Sequence, residues 1–490
     1  MNIIDYISLL PETLICIVAI IILLADLLVK QDKKEILGLL ALLGLLPVFF
    51  VICNISNCLV VNLGVGGFVF DPFSVFFKLI ILLATGLVIL VSVDYVGLTP
   101  SRKGAYYSLV LFACLGMMLL VSSTDLLMIY LSIEFLGLVS YVLVGFLRKD
   151  IKSIEGSVKY FLLGIFSGAL MLYGMSLVYG LTGSLDLSLI REWANAGGSG
   201  QLLFTVAIFF IIAGFGFKIA LVPFHMWVPD AYEGAPTPIT AYLSVASKSA
   251  GLAVFLRAFL TGFPAPVILL AVLSALTMTV ANLIAISQKN IKRLLAYSSI
   301  SHVGYIMIGF VSRDSLGIDG VLIYVLAYLF MNLGAFTVVI AISNKTGSDN
   351  IDDYAGLSKS SPYLSALLVI FLLSLAGIPP MAGFIGKFYV FSAAIKTGFV
   401  WLAIVGILNS VVALYYYFRI VRRMYFLPSA SPWSQELGSH VESEREIPVP
   451  LTLKIALISM CVMVLIIGIF PQYFIEFVHY SNSLLGTLLN

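Results

Sequence analysis

The sequence predicts an all-α integral membrane protein with 14 transmembrane helices, and three observations predict it. Of 490 residues, 61% are hydrophobic and 11% charged, with a mean hydropathy of +1.09, whereas soluble domains carry about 25% charged residues. Fourteen stretches supply the roughly 20 apolar residues that a membrane helix needs: 8–29, 36–54, 73–94, 104–121, 125–147, 154–180, 201–228, 236–259, 264–287, 293–311, 318–343, 361–397, 400–425 and 450–475. Two of them, the seventh and the twelfth, are interrupted by proline and glycine, as broken transporter helices are.

The first span has Asp5 and Glu12 where a signal peptide would carry positive charge, and no small-residue cleavage site, so it is expected to stay as a span. Spans 1–3 fill residues 1–100. Loops after spans 1, 3, 5, 9, 11 and 13 hold 17 Lys and Arg residues, from Lys30 to Arg445, whereas the opposite loops hold four: Arg191, Arg257, Arg313 and Lys396. The positive-inside rule places the first set in the cytoplasm and both termini outside. The one long polar excursion, 427–449, reads as a flexible cytoplasmic connector ahead of the last span and C-terminus, 450–490. No soluble domain can be cut from the chain, and 1–490 is a single polytopic membrane unit. Trp401, Tyr416, Tyr417 and Tyr473 read as interfacial aromatics.

Composition also excludes function classes. Lys+Arg 27 against Asp+Glu 25 leaves +2, so no basic field exists to recruit nucleic acid. The five cysteines form no C-x-x-C pair, so neither an iron–sulfur cluster nor a zinc site is encoded; Cys53 and Cys58 could pair, but free thiols are the expectation. Gly64-Val-Gly66-Gly67 fails the dinucleotide-binding spacing.

Six basic residues remain at or within apolar segments: Lys78, Lys159, Lys218, Lys248, Lys387 and Lys454. A charge at the bilayer centre costs at least about 2.5–3.5 kcal/mol on insertion scales, so each needs a partner or a task. Glu134 lies nine residues beyond Asp125, about 13 Å along span 5 and near mid-membrane. Lys248 is central in span 8 among small residues, with Ser244 one turn back as an expected hydrogen-bond partner. In span 7, Pro223 follows Lys218 and should break the helix and free carbonyls; in span 12, Pro379 and Pro380 precede Lys387 and repeat the device. Two interrupted spans five apart, each with one lysine, suggest an internal repeat of inverted topology.

Blander readings stand beside these. Lys218, Lys248 and Lys387 could be halves of buried packing pairs. Lys159 follows Glu155 by one turn near the end of span 6, where a helix-end ion pair competes with a relay role. Lys78 and Lys454 are expected to snorkel. His302, among Ser298, Ser299, Ser301 and Tyr305, is a candidate proton relay or a hydrogen-bonded core histidine, and His225 beside the span 7 break is weighed the same way. His440 and His479 are expected to be exposed.

The stretch Lys218-Ile-Ala-Leu-Val-Pro-Phe-His-Met-Trp-Val-Pro-Asp-Ala-Tyr-Glu-Gly-Ala-Pro-Thr-Pro238 resembles the shared signature of the antiporter-like membrane subunits of respiratory complex I, and the resemblance extends over essentially the whole chain. Asp71-Pro-Phe-Ser-Val-Phe-Phe-Lys78, Tyr328-Leu-Phe-Met-Asn-Leu-Gly-Ala-Phe336 and Leu408-Asn-Ser-Val-Val-Ala-Leu-Tyr-Tyr-Tyr-Phe-Arg419 look like one branch of that family, and lysine rather than glutamate in span 12 separates it from another. The resemblance implies helices 4–8 (104–259) and 9–13 (264–425) as inverted repeats. It implies that Glu134 pairs with Lys218, that Lys248 is the central relay and that Lys387 faces the outer exit. It further implies that this chain binds no cofactor, since NADH, FMN, iron–sulfur clusters and quinone belong to other subunits of the complex. The implied partners are other membrane subunits of complex I, neighbouring antiporter-like ones included, with lipid, protons and water; the implied location is the cell inner membrane. Two rival classes keep the fold: a cation/proton antiporter subunit and a purely structural membrane subunit.

Overall fold

The computed structural model describes residues 8–58, 63–428 and 447–486. Among them, 13 helices are long and apolar enough to cross a membrane, and the chain is a multi-pass membrane protein. In chain order, with shorter connecting helices included, the elements are α1 Leu10–Leu28, α2 Glu35–Cys58, α3 Pro72–Ser92, α4 Lys103–Ser122, α5 Leu126–Val144, α6 Ile151–Thr182, α7 Leu187–Asn195, α8 Gln201–Ile219, α9 Val228–Gly234, α10 Thr237–Gly262, α11 Val267–Ile286, α12 Ile291–Ser312 and α13 Ser315–Thr346. Then follow α14 Pro362–Ala376, α15 Ala382–Lys396, α16 Val400–Phe426, α17 Leu451–Ile469 and α18 Pro471–Gly486. The expected span 361–397 is thus two 15-residue helices, α14 and α15, on either side of an unwound 377–381. The expected 201–228 is α8 followed by an unwound 220–227.

Local chemistry sets the helix ends, and the same devices occur twice. Asp125 caps α5 and Asn290 caps α12, each side chain accepting from two backbone N–H groups, and each cap bridges to a second Asx residue, Asp186 and Asn350 respectively. Asp150 starts α6 and Asp314 starts α13; both helices run 32 residues and close on a left-handed glycine, Gly183 and Gly347. α8 ends at left-handed Ala220 and α14 at left-handed Gly377, and both unwound segments contain a cis X–Pro peptide, Val222–Pro223 and Pro379–Pro380.

The most polar spans are found innermost. α10 and α12 have the lowest span hydropathies, 1.4 and 1.5, and are 100% and 94% buried, whereas α2 at 2.9 is 33% buried. A helix that faces protein can carry serines and lysines that lipid would exclude. The apolar middle of α13 is also wholly buried and packs against α12.

The first three helices are pinned by charge, against two expectations. Lys78 does not snorkel: its Nζ lies 2.7 Å from Glu12 of α1, with both side chains buried. Arg257 is not an outer-loop residue: it lies in α10 and forms a two-pronged pair with Asp71 at 2.8 and 2.9 Å. In both cases the counter-charge lies far upstream in sequence and offsets a burial that an isolated cation could not sustain. Burial would raise the Asp71 carboxyl, but the Arg257 charge and hydrogen bonds hold it below the ordinary range. Lys454 is exposed.

Gly66 and Gly67 form the left-handed turn of a hairpin, β1 Leu63–Val65 with β2 Phe68–Phe70, a local job that accounts for the glycines without a nucleotide. Cys16, Cys53, Cys114 and Cys461 are free. The Cys58 side chain, His440 and most of the 427–449 connector lie outside the described residues.

The loops after spans 3, 5, 7, 9 and 11 meet at one end of the bundle. There Tyr95, Asp150, Glu233, Lys292 and Asp349 line a polar cavity of about 690 Å³.

Candidate functional site

Glu134 is positioned by the Asp125 cap, which starts α5 and sets the register nine residues upstream. It faces α6 at Gly168, where a Cβ would lie 2.4 Å from its Oε1, so the carboxylate occupies the space a side chain would take. Glu134 and Lys218 line one small cavity of about 10 Å³ with Tyr141, Tyr160 and Ser167, close to the least volume that holds a water. They face each other across it without a direct ion pair.

Lys218 sits in the last turn of α8. The helix stops because Ala220 turns left-handed, with Leu221 N–H bonding back to the Gly216 carbonyl at 2.8 Å. The Phe217 carbonyl accepts from Trp227 Nε1 at 3.1 Å, and Trp227 stacks on Tyr160 at 4.0 Å, so the break is braced from α6. The Lys218 stem packs on Gly251 of α10, 3.2 Å from where its Cβ would be and one turn past Lys248.

Lys248 follows a π-helical turn, Leu243–Ser247, a distortion frequent at functional sites. The expected bond to Ser244 is not made. Ser244 instead donates to the Ala241 carbonyl and accepts from Asn332 at 2.7 Å, while Lys248 Nζ donates to Ser299 Oγ of α12 at 2.7 Å. The Tyr232 ring centroid lies 5.7 Å from Nζ.

His302 is buried on α12. Its Nδ1 lies 2.8 Å from Tyr324 Oη and its Nε2 3.4 Å from Tyr417 Oη. The hydroxyls around it come from other helices, because Ser299 and Ser301 donate to carbonyls of their own helix; Ser298 bonds Tyr417. Lys387 reaches back from α15 into the break, where Nζ donates to the Ala376 carbonyl at 2.8 Å and lies 4.6 Å from the Tyr305 ring. Gly377 permits this: its φ is 87°, and a Cβ there would lie 2.8 Å from Lys387 Cδ. Tyr305 is held by Asn282, which also bonds Tyr416 and Asn409.

Among the described residues, no carboxylate forms an ion pair with Lys218, Lys248 or Lys387. Tyr232 Oη and Tyr328 Oη are buried near Ser299, and Asn332 Oδ1 is buried beside Ser244, so polar atoms surround the Lys248–His302 stretch. No group of three or more His, Cys, Asp or Glu among the described residues could hold a metal.

Residues 123–413 match the family model described as NADH:quinone oxidoreductase/Mrp antiporter, TM. Subunit N of the NADH-quinone oxidoreductase of Trichlorobacter lovleyi is 42% identical over 482 residues, 97% of this chain and 96% of its own length. The chain belongs to the NADH-quinone oxidoreductase subunit N family. Among solved structures, a chain of respiratory complex I from Thermus thermophilus with bound Aureothin superposes with a TM-score of 0.80 at 31% identity, covering 95% of this chain and 99% of that one. A chain of the Mrp complex from Dietzia sp. superposes with a TM-score of 0.85 at 20% identity, over 99% and 98%, a likeness of fold alone.

Other sequence candidates in this subunit N family member lie off the buried row. Lys159 pairs with Glu155 at 2.6 Å and with Asp230 at 2.7 Å in a partly exposed network that continues through Arg293 and Glu233 to Lys152. Burial would raise the Asp230 and Glu233 carboxyls, but hydrogen bonds from Lys159, Lys152 and Arg293 outweigh it and hold both below the ordinary range. His225 is buried within the unwound 220–227. Tyr416 and Tyr417 are not interfacial: both are buried, and Tyr417 touches His302. Ser299 reads in the sequence only as a hydroxyl near His302; its role as the partner of Lys248 is not read there, although its nine-residue offset from an Asx cap matches that of Glu134. At the opposite end of the bundle, buried Asp319 accepts from Asn482 at 2.8 Å and lies 3.0 Å from the exposed His479.

Proposed function

We propose that this chain is the proton-translocating, antiporter-like membrane subunit of an NADH-quinone oxidoreductase, in which quinone reduction in other subunits drives proton transfer along Glu134, Lys218, Lys248 and Lys387. The observation that carries the reading is the row itself: three buried lysines on α8, α10 and α15 with no ion-paired carboxylate among the described residues, headed by a glutamate across a water-sized cavity. The chain crosses the membrane 14 times, the broken α14–α15 pair counting as one crossing. Helices 4–8 and 9–13 are inverted repeats; the paired Asx bridges, the two 32-residue helices and the two left-handed breaks support this. With Arg257 set aside, the loop bias is 17 to three, which supports cytoplasmic odd loops, both termini outside and insertion in the cell inner membrane. Its partners are other membrane subunits of the complex, and redox cofactors are held elsewhere.

The chemistry follows from charge in a dry setting. A carboxylate that approaches Lys218 holds the proton there; one that withdraws leaves an unpaired ammonium that passes its proton on. The next base is Lys248, whose helix Lys218 already touches at Gly251. Beyond it, Ser299, Tyr328, His302 and Tyr324 offer hydrogen-bonding groups toward Lys387, and the freed carbonyls of both breaks tolerate water. His302 serves as a relay, whereas Lys159 acts as a surface ion-pair residue.

The family model matched by residues 123–413 takes in Mrp antiporters as well as NADH:quinone oxidoreductase, which favours a second reading, cation/proton antiport. Complexes reconstituted in vesicles separate the two readings. Outward acidification per quinone reduced should fall when Lys218, Lys248 or Lys387 is neutralised, with no dependence on sodium. Sodium-dependent transport without quinone reduction would support the antiporter instead, and unchanged pumping by all three neutral variants would leave a structural subunit.

A further inference from the structure

The outer surface of the bundle carries a groove of about 700 Å³ between α14 and α16, lined by Leu373, Ile378, Val411, Leu414, Tyr415 and Phe418. Arg419 and Arg422 close one end of it. Val411 and Arg422 lie 11 residues apart on α16, about 16 Å along the helix axis, which is one leaflet of a hydrocarbon core about 30 Å thick. α16 ends at Phe426, so the apolar floor reaches mid-membrane and the arginines stand at the membrane boundary.

Among the described residues, neither arginine is spent on a carboxylate. Arg419 donates to the Ile286 and Gln288 carbonyls, both at 2.6 Å, which fixes its guanidinium at the groove end, and among the described residues no carboxylate pairs with it. Arg422 is exposed and forms no ion pair among the described residues; Asp352 is taken by Arg423. A transmembrane helix from a partner would fill the apolar floor but would bury two cations without counter-charge, a costly arrangement. An acyl chain beneath a phosphate satisfies both parts.

We propose that this groove is a binding site for an anionic phospholipid, with an acyl chain along Leu373, Leu414 and Phe418 and the headgroup phosphate at Arg419 and Arg422. Its assignment to the cytoplasmic leaflet rests on the orientation proposed above; the site itself does not, and neither does its test.

The purified complex is reconstituted in nanodiscs of phosphatidylcholine doped with a diazirine-tailed phosphatidylglycerol or, in a parallel sample, a diazirine-tailed phosphatidylcholine. After irradiation, marked peptides are mapped. The phosphatidylglycerol probe should mark 373–378 and 411–418 several-fold more than the phosphatidylcholine probe. Arg422→Gln should reduce that marking about fivefold, Arg422→Lys should retain most of it, and Leu414→Trp, which fills the groove, should remove marking by both probes, all in complexes of unchanged subunit content. Equal marking by the two probes overturns the proposal. So does a groove marked by neither probe while α1 is marked, which would identify a partner helix as the occupant.

Discussion

Lys248 donates its hydrogen bond to Ser299 at 2.7 Å, and Ser299 stands nine residues beyond the Asn290 cap of α12 as Glu134 stands nine beyond the Asp125 cap of α5. The proposed repeat therefore gives the two halves of the subunit different groups at one register, a carboxylate facing Lys218 and a hydroxyl bonded to Lys248. A hydroxyl supplies direction without counter-charge, so Lys248 is oriented but left free to change protonation.

Ser299→Ala removes a charge-assisted hydrogen bond, worth about 1.5–3 kcal/mol, and should slow proton transfer by an order of magnitude or more in fully assembled complexes. Ser299→Glu should be worse, because a carboxylate in contact pins the ammonium. Proton-to-electron ratios of both variants check this. A Ser299→Glu complex pumping at the normal ratio would show that Lys248 needs no neutral partner.

Glu134→Gln keeps the fit against Gly168 and removes the charge facing Lys218. Pumping should fall while assembly holds. Exchanging the pair, Glu134→Lys with Lys218→Glu, should restore assembly better than pumping, since attraction returns with each proton affinity at the wrong place. Full pumping by Glu134→Gln at normal complex levels rules the switch out.

Orientation is checked by cysteine labelling in a background without native cysteines. Lys289 lies in a loop beside the polar cavity, and Gln472 begins the exposed part of α18. An impermeant outside reagent should label Gln472→Cys and spare Lys289→Cys, and the reverse pattern inverts the topology.

Much of this was legible in the sequence because hydropathy and helix breaking are local properties: spans, breaks and the depth of Lys218, Lys248 and Lys387 follow from neighbours along the chain. What was not legible depends on partners brought from afar. Lys78 read as a snorkelling residue because its counter-ion, Glu12, is two helices upstream. Arg257 read as a loop charge because Asp71 is 186 residues away. Tyr416 and Tyr417 have interfacial composition, yet the packing of α16 turns them onto Asn282 and His302.

The cluster formed by Asp230 and Glu233 with Lys159, Lys152 and Arg293 should give the complex an acid-sensitive edge. Both carboxyls titrate below their ordinary values when folded. Their contribution is therefore complete above the ordinary carboxylate range, about pH 4, and is lost as pH falls through the lowered values. Thermal unfolding of wild type and an Asp230→Asn, Glu233→Gln double variant should differ at pH 7 and converge at low pH. A gap that persists in acid would mean that the cluster stabilises by packing rather than charge.

Lys387 holds its place by two contacts, the Ala376 carbonyl freed by the break and the face of Tyr305. Methionine matches the stem that packs on Gly377 but leaves that carbonyl unpaired, at a cost of about 1–3 kcal/mol. Arginine keeps a donor and a cation for both contacts, yet a guanidinium stays protonated with a pKa above about 12 and can hardly release a proton. The pair of variants therefore separates cap from carrier. A lysine that only caps the break should tolerate Lys387→Arg, while Lys387→Met lowers the melting temperature or the yield of complex. A lysine that carries protons should lower the proton-to-electron ratio in both variants, per assembled complex, whatever Lys387→Met costs in stability. The measurement is acidification of the outer side per quinone reduced, in vesicles matched for assembled complex. We expect both ratios to fall; an Arg variant at the wild-type ratio would take Lys387 out of the path and make His302, bonded to Tyr324 and Tyr417, the last protonatable group before the outside.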